Sequence, residues 1–142
     1  HGKGMDMIIK TDCSGVDWRL VSETLKQVGM ASHEPDVHRR AFAASHTTVF
    51  VYEESCLAGF GRAISDGQYQ AAIYDVAVVP RFQGQGIGKT IVQTIMDRLK
   101  HCNLILYASP GKEGFYKNLG FGAMKTGMAL FTSAQAMEKF TE

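Results

Sequence analysis

The sequence predicts one α+β domain, a mixed α/β layer fold rather than a doubly wound sheet. Its 142 residues, 45% of them apolar, suffice for one compact core and are too few for two ordinary domains. The candidate elements follow in the order β α α β β β α β α β β, which groups strands together instead of alternating them with helices. The domain is expected to span residues 5–142, and residues 1–4 resemble an expression remnant ahead of Met5.

The first elements are predicted to be a strand and two helices. The apolar run MDMIIKT, residues 5–11, favours a strand, and apolar positions at helical spacing follow it. Ser14 is expected to cap this helix, which continues to Val28 before Gly29 ends it. Pro35 is suited to the first position of a second helix that covers residues 36–46.

Three strands are predicted next. The alternating, β-branched segment TTVFVYEES, residues 47–55, is joined by a tight connection to CLAGFGRAIS, residues 56–65. The run QAAIYDVAVV, residues 70–79, is apolar over nearly its whole length. Such a run indicates burial on both faces, so this strand is expected at the centre of the sheet.

The second half alternates helices and strands before a short tail. Residues 87–99 repeat apolar side chains at helical spacing, and LILYA, residues 104–108, favours a strand. Pro110 introduces a brief helix that Gly120 ends. The remaining predicted elements are two terminal strands, FGAM (121–124) and TGMALF (126–131), and a tail helix after Thr132.

Composition excludes several classes of partner and site. Fifteen basic and fourteen acidic side chains nearly cancel, so neither nucleic acid nor a membrane surface is an expected partner, and no apolar run approaches the ~20 residues of a membrane span. The three cysteines, Cys13, Cys56 and Cys102, lack metal-type spacing and indicate a reduced, cytoplasmic setting. His33 and His38 lack a clear third ligand, so no metal is expected.

A glycine-rich segment, RFQGQGIGK, joins the central strand to the following helix. The first N–H groups of a helix have no intrahelical partner, and Gly84, Gly86 and Gly88 would let an anion approach them. A P-loop would need glycine where Gln83 stands, and a G-x-G-x-x-G count started at Gly84 ends on Lys89. Neither common nucleotide-binding pattern fits this loop.

Two motifs in the right order resemble those of the GCN5-related N-acetyltransferase (GNAT) superfamily. The loop matches Gln-x-x-Gly-x-Gly, as Gln83, Gly86 and Gly88, and GFYKNLGF, residues 114–121, matches the downstream signature FYxxLGF. The resemblance implies a central, mostly antiparallel sheet of about six to seven strands flanked by helices. It also implies acetyl-coenzyme A as the co-substrate.

The resemblance assigns roles to individual residues. The pyrophosphate of coenzyme A would lie on the loop formed by Gln83, Gly84, Gln85, Gly86, Ile87 and Gly88, with Lys89 as a charge partner. Val76, Ala77 and Val78 would line the pantetheine arm. Tyr116 would stand near the thioester sulfur as proton donor, with core packing as its alternative role.

The reaction also needs a proton acceptor for the amine, and Asp75 is the candidate. It is the only carboxylate in the central strand, and regular alternation would place Tyr74, Val76 and Val78 on one face and Asp75 with Ala77 on the other. A structural carboxylate is the alternative role for Asp75. If it faces away from the substrate, a water chain or the carboxylates at positions 53 and 54, Glu53 and Glu54, would have to serve.

The expected function is transfer of the acetyl group of acetyl-coenzyme A to a primary amine of a small molecule, by direct attack in a ternary complex. The sequence is similar to the serotonin N-acetyltransferase-like branch of the family, which favours a small amine. A peptide or protein amine acetyltransferase and a non-catalytic acyl-coenzyme A binding module are the alternatives. A homodimer is also an open expectation.

Overall fold

The computed structural model describes residues 7–142. The expected remnant at residues 1–4 and the start of the predicted first strand at residues 5 and 6 lie outside the described residues. The described chain divides into two compact units, of which the first ends at Ser109 and the second is Pro110–Glu142. The first unit contains the sheet.

The elements match most of the predicted ones. The first unit contains β1 (Met7–Lys10), α1 (Trp18–Gln27), α2 (Pro35–Ala43), β2 (Thr47–Glu53), β3 (Cys56–Ser65), β4 (Gln70–Val78), α3 (Ile87–Arg98) and β5 (Asn103–Ile105). The second unit contains α4 (Glu113–Asn118) and α5 (Ala134–Phe140). Asp17, and not Ser14, caps α1, because its Oδ1 accepts the Leu20 N–H at 3.2 Å.

The sheet has five strands in sequence order, β1 to β5. The three pairings from β1 to β4 are antiparallel, and β5 joins β4 in parallel. This arrangement confirms the α+β fold. β4 is the fourth of five strands and has a neighbour on its β5 side only at Gln70–Ala72, so it is not the central strand that the sequence predicted. The count of six to seven strands was wrong for the described chain, which has five.

The sheet is covered on both faces. On one face the rings of Phe42, Phe50 and Phe60 pack in a buried cluster. Phe42 is contributed by α2, and its ring centroid lies 5.5 Å from that of Phe50 and 6.0 Å from that of Phe60. On the other face α3 lies close to Gly59 and Gly61, where a methyl group would come within 3 Å of isoleucine side chains of α3. Alternation along β3 therefore separates an aromatic layer from a glycine-lined layer.

The second unit differs from the prediction after its first helix. Residues 121–131 form neither of the two terminal strands, and Met128 and Leu130 are 97% and 92% exposed. The segment is poor in β-branched residues and contains Gly122 and Gly127, which weaken strands. The tail helix is confirmed as α5, which Ser133 caps through the Ala136 N–H.

Candidate active site

The strand β4 separates from β5 partway along its length. The two strands pair only at Gln70 to Ala72, whose partners are Asn103 to Ile105, although β4 continues to Val78. From Ile73 onward, β4 has backbone groups on the side away from β3 that pair with no strand of the described chain. Such an edge can bind an extended ligand that carries amide groups.

A β-bulge interrupts β4 where the strands separate. The register passes from Phe60 opposite Ala77 to Arg62 opposite Tyr74, so two residues of β4 stand opposite one residue of β3. Asp75 lies in this bulge with φ of 58°, a left-handed conformation that costs a non-glycine residue about 1–2 kcal/mol.

The bulge overturns the predicted alternation along β4. Because Phe60 and Arg62 lie on one face of β3, their partners Ala77 and Tyr74 share that face as well. The sequence prediction placed Tyr74 and Ala77 on opposite faces, and that was wrong. A bulge adds a residue without leaving a trace in the apolar pattern.

Arg62 holds the bulge through its guanidinium group. Its Nε donates to Asp75 Oδ2 at 2.7 Å, and its Nη1 donates to Ser45 Oγ at 3.2 Å. The guanidinium carbon lies 5.7 Å from the ring centroid of Phe42 and 5.5 Å from that of Tyr74. The side chains of Arg62 and Asp75 are only 18% and 20% exposed, so this ion pair is much less screened than a surface pair.

The glycine loop has the backbone shape that its sequence indicates. After a 3-10 turn at Pro80–Phe82, Gly84 and Gly86 adopt φ of 81° and 82°, and Gly86 is the N-cap of α3. A methyl group on either glycine would have no atom within 4 Å among the described residues. Both glycines therefore have left-handed backbone conformations, and the space beside them is open to a ligand.

The start of α3 has N–H groups without an intrahelical partner beside this open loop. The first N–H of the helical ladder is that of Thr90, which bonds Gly86 O at 3.1 Å, so those of Ile87, Gly88 and Lys89 precede the ladder. Helix starts of this kind favour an anion. Gln83 Nε2 donates to Val78 O at 3.2 Å, which ties the loop to the end of β4.

The residues expected along the pantetheine arm are positioned by the same strand. Ala77 is 5% exposed and packs in the core cluster, whereas Val76 and Val78 are half-buried. The side chain of Ala77 is thus directed into the core. Its backbone, and not its methyl group, is what can border an extended ligand at this edge.

Tyr116 lies in the second unit, on α4. Its ring makes edge contacts with Phe115 and Phe121 at centroid distances of 5.0 and 5.8 Å. Burial raises the pKa of the Tyr116 phenol, so the group stays protonated at neutral pH. A proton donor needs this state.

Sequence reasoning missed several groups around the bulge. His38 is 3% exposed, its Nε2 accepts the His33 N–H at 2.8 Å, and burial lowers its pKa. Tyr107 lies beyond β5 with its ring 6.2 Å from that of Tyr74, and burial raises the pKa of its phenol. Tyr74 and Tyr107 are remote in sequence, so no local pattern could indicate their contact, whereas His33 and His38 are only five residues apart and were considered only as metal ligands.

The alternative carboxylates lie at the other end of the hairpin. Glu53 pairs with Cys56, and Glu54 occupies the turn with φ of 49°. Arg62 stands six residues farther along β3 than Cys56, roughly 20 Å at the usual rise of a strand. Neither glutamate is near Asp75.

Among the described residues, no three histidine, cysteine or carboxylate side chains are grouped to hold a metal.

The sheet, the separation of β4 from β5 and the glycine loop together define the acetyltransferase class of fold. The chain belongs to the acetyltransferase (GNAT) domain family, whose model matches residues 16–129. This result confirms the resemblance on which the motifs were interpreted.

Relatives and solved structures agree with this assignment. The chain is 31% identical over 141 residues to serotonin N-acetyltransferase 2, chloroplastic, of Oryza sativa subsp. japonica, covering 92% of this chain and 70% of the relative. It is 37% identical over 112 residues to the uncharacterized N-acetyltransferase ycf52 of Gracilaria tenuistipitata var. liui, covering 77% of this chain and only 57% of that protein.

Two solved structures show the same fold. A GNAT family acetyltransferase from Streptococcus pneumoniae superposes with a TM-score of 0.74 at 22% identity, covering 89% of this chain and 98% of the other. Glucosamine-6-phosphate N-acetyltransferase from Arabidopsis thaliana gives 0.67 at 21% identity, covering 89% and 99%. Within the described chain, no helix combines the length and apolar character needed to cross a membrane.

Proposed function

We propose that this protein transfers the acetyl group of acetyl-coenzyme A to a primary amine of a small molecule, by direct attack in a ternary complex. The observation that carries the proposal is the continuity of the open edge of β4 with the glycine loop. The edge begins at Ile73 and ends at Val78, and Gly84 and Gly86 follow with left-handed backbones before α3. Pantetheine, with two amides, suits the edge, and pyrophosphate suits the loop.

The proposed cofactor contacts come from the backbone more than from side chains. Val76, Ala77 and Val78 border the pantetheine arm, and the loop residues Gln83, Gly84, Gln85, Gly86, Ile87 and Gly88 surround the pyrophosphate. Lys89, exposed in the first turn of α3, adds positive charge beside it. A backbone cradle fits the open space above Gly84 and Gly86.

The reaction requires two proton transfers. An alkylamine with a pKa near ~10.4 is about 0.1% or less neutral at pH 7, so a base must accept its proton as nitrogen attacks the thioester carbon. The C–N bond forms, the C–S bond breaks, and the departing sulfur takes a proton. Asp75 is the proposed acceptor, through the oxygen that Arg62 Nε does not occupy, and Tyr116 is the proposed donor.

The acceptor amine is proposed to be small, as in the name of the rice relative. A protein amine is the main alternative, because another relative is named histone acetyltransferase TAP1, of Glycine max. A coenzyme-binding module without catalysis is the third alternative.

The cytoplasm is the proposed compartment, although the rice relative is named chloroplastic. A homodimer is also proposed, and analytical sedimentation can test it.

The deciding experiment is an amine panel. Acetyl-coenzyme A is mixed with the protein and arylalkylamines, polyamines, amino sugars or a lysine-rich peptide, and released thiol is followed. Turnover with a small amine and not with the peptide supports the proposal. Coenzyme binding without turnover of any amine would support the non-catalytic module, and preference for the peptide would support the protein alternative.

The role of Tyr116 is tested by two matched substitutions. Tyr116→Phe removes only the phenolic hydroxyl, and we expect kcat to fall by about 100-fold with little change in coenzyme affinity. Tyr107→Phe is the comparison, because it removes the phenol of a different tyrosine, whose ring lies 6.2 Å from that of Tyr74 on β4. Loss of kcat in Tyr107→Phe alone would transfer the proton-donor role to that residue.

A further inference from the structure

The conformation of the β4 bulge decides which backbone groups reach the open edge. Successive residues of a strand direct their N–H groups to alternate sides, and a shift of one residue inverts the pattern. If Asp75 reverted to an extended conformation, the faces of Val76, Ala77 and Val78 would exchange, and Ala77 would leave the core. The edge available to a thioester would then present different N–H groups.

The contacts of Arg62 hold this bulge from several directions. The guanidinium bonds Asp75 through Nε and Ser45 through Nη1, and it lies near the rings of Phe42 and Tyr74. Ser45 in turn donates to Ala41 O of α2 at 2.7 Å. The bulge is therefore connected to the C-terminal end of α2 through one planar side chain.

The direction of these contacts argues against a role for Arg62 in binding substrate. Two of its nitrogens are occupied by protein acceptors, and its side chain is 18% exposed. An arginine placed to meet an anionic ligand presents its fork to solvent. Here Nε faces Asp75 of β4, and Nη1 faces Ser45, the second residue after α2.

We infer that Arg62 is a positioning residue of the acetyl-transfer site, which fixes the β4 bulge and the carboxylate of Asp75 and ties both to the end of α2. The inference rests on the proposed function for its catalytic consequence. Its structural part, that Arg62 fixes the backbone at Asp75, stands independently of turnover.

The catalytic part is tested by a double-mutant cycle. Arg62→Met is expected to lower kcat by about tenfold or more, because a small displacement of reacting groups has effects of this size. Asp75→Asn lowers kcat strongly in the wild-type background but by less than about threefold in the Arg62→Met background, since the two residues act as one unit. Additive losses would overturn the inference.

Further variants distinguish the effect of the guanidinium geometry on kcat from the effects of charge and of a general loss of stability. Arg62→Lys keeps the charge and loses the fork, so we expect a kcat between those of wild type and Arg62→Met. Arg98→Met removes an exposed arginine of α3 and is the matched control, expected to leave kcat within about twofold. A folded Arg62→Met protein with the wild-type rate would also overturn the inference. If Arg62→Met does not fold, Arg62→Lys carries the cycle.

Amide hydrogen exchange tests the structural part without turnover. Arg62→Met is expected to accelerate exchange at residues 74–78 by about tenfold, while residues 49–51 of β2 keep the wild-type rate. Unchanged exchange at residues 74–78 would overturn the inference whether or not the protein is active. Faster exchange in Arg62→Met, together with a wild-type protein that has no activity, would support the structural role of Arg62 and reject the proposed function.

Discussion

The two halves of β4 show how one strand serves both stability and chemistry. From Gln70 to Ala72 it pairs with β3 on one side and β5 on the other. From Tyr74 to Val78 it pairs with β3 alone, contains the bulge at Asp75 and leads into the glycine loop. The paired half is ordinary sheet, whereas the open half combines a strained residue, a half-buried ion pair and unpaired backbone groups.

The two halves of β4 also differ in the residues on which their structures depend. In the paired half, Gln70 is exposed, and Ala71 and Ala72 are small apolar residues. The open half depends on residues outside the strand, namely Arg62, Ser45 and the glycines of β3 that allow α3 to approach. Substitutions in or around the open half should therefore affect ligand binding and catalysis more than substitutions in the paired half do.

The largest expected effect is at the end of the open half. Gly86→Glu places a bulky, negative side chain at a residue with φ of 82°, directly before the N–H groups of α3. We expect affinity for coenzyme A, measured by calorimetry, to fall at least about 100-fold. Gly29→Glu is the control, with φ of 80° and open space around it at the end of α1. Equal affinities in the two variants would mean that the loop does not hold the pyrophosphate.

A smaller effect is expected where the bulge touches α3. A methyl group at Gly61 would lie 2.7 Å from Ile91 Cγ2 and 3.1 Å from Val76 Cγ2. Gly61→Ala should lower the free energy of unfolding by about 1–3 kcal/mol, measured by urea denaturation, because the core is overpacked. Gly114→Ala, where a methyl group meets nothing within 4 Å, should not destabilise the protein. A Gly61→Ala protein as stable as wild type would show that β3 and α3 adjust freely.

The left-handed residue gives a third, smaller effect. Asp75→Gly and Asp75→Ala both remove the carboxylate, but only glycine tolerates φ of 58° without strain. We expect the glycine variant to be more stable by about 1 kcal/mol, in contrast to an ordinary strand position, where alanine is preferred. Greater stability of the alanine variant would mean that residue 75 leaves the left-handed region once Arg62 loses its partner.

The smallest effect concerns the buried imidazole near Asp75. Burial lowers the pKa of His38 below its ordinary value of 6.5, so the unfolded chain binds a proton more readily than the folded one. His38 thus favours folding above pH 6.5, and this contribution is lost as pH falls through and below that value. Urea denaturation at several pH values should show a shallower acid loss for His38→Gln. If wild type and His38→Gln lose the same free energy of unfolding as pH falls, other titratable groups cause that loss.

Much of the first unit could be predicted because its signals are local. The glycine loop, the start of α2 at Pro35 and the existence of β4 are all encoded within a few neighbouring residues. The cap of α1 was misplaced because Ser14 and Asp17 are both suitable residue types, and only the path of the chain selects between them. In the structure, the Ser14 N–H bonds Asp12 Oδ1 in a turn instead.

The geometry of the candidate site was less predictable. Arg62 and Asp75 are thirteen residues apart, and their contact depends on the register between β3 and β4. The bulge that brings them together inverts the alternation on which the face of Asp75 had been predicted. The terminal strands failed for a related reason, because a strand exists only where a partner edge accepts it, and residues 121–131 do not encode that edge.

The closeness of α3 to Gly59 links the coenzyme loop to a residue that no ligand would touch. A methyl group at this glycine would stand 2.9 Å from Cγ2 of Ile87, the first residue of α3 and the neighbour of Gly86. A side chain at position 59 would therefore displace the loop from behind. In a screen for variants with weakened coenzyme binding, substitutions at position 59 should appear beside those of the loop glycines. They would act by displacing the loop and not by removing a contact with the ligand.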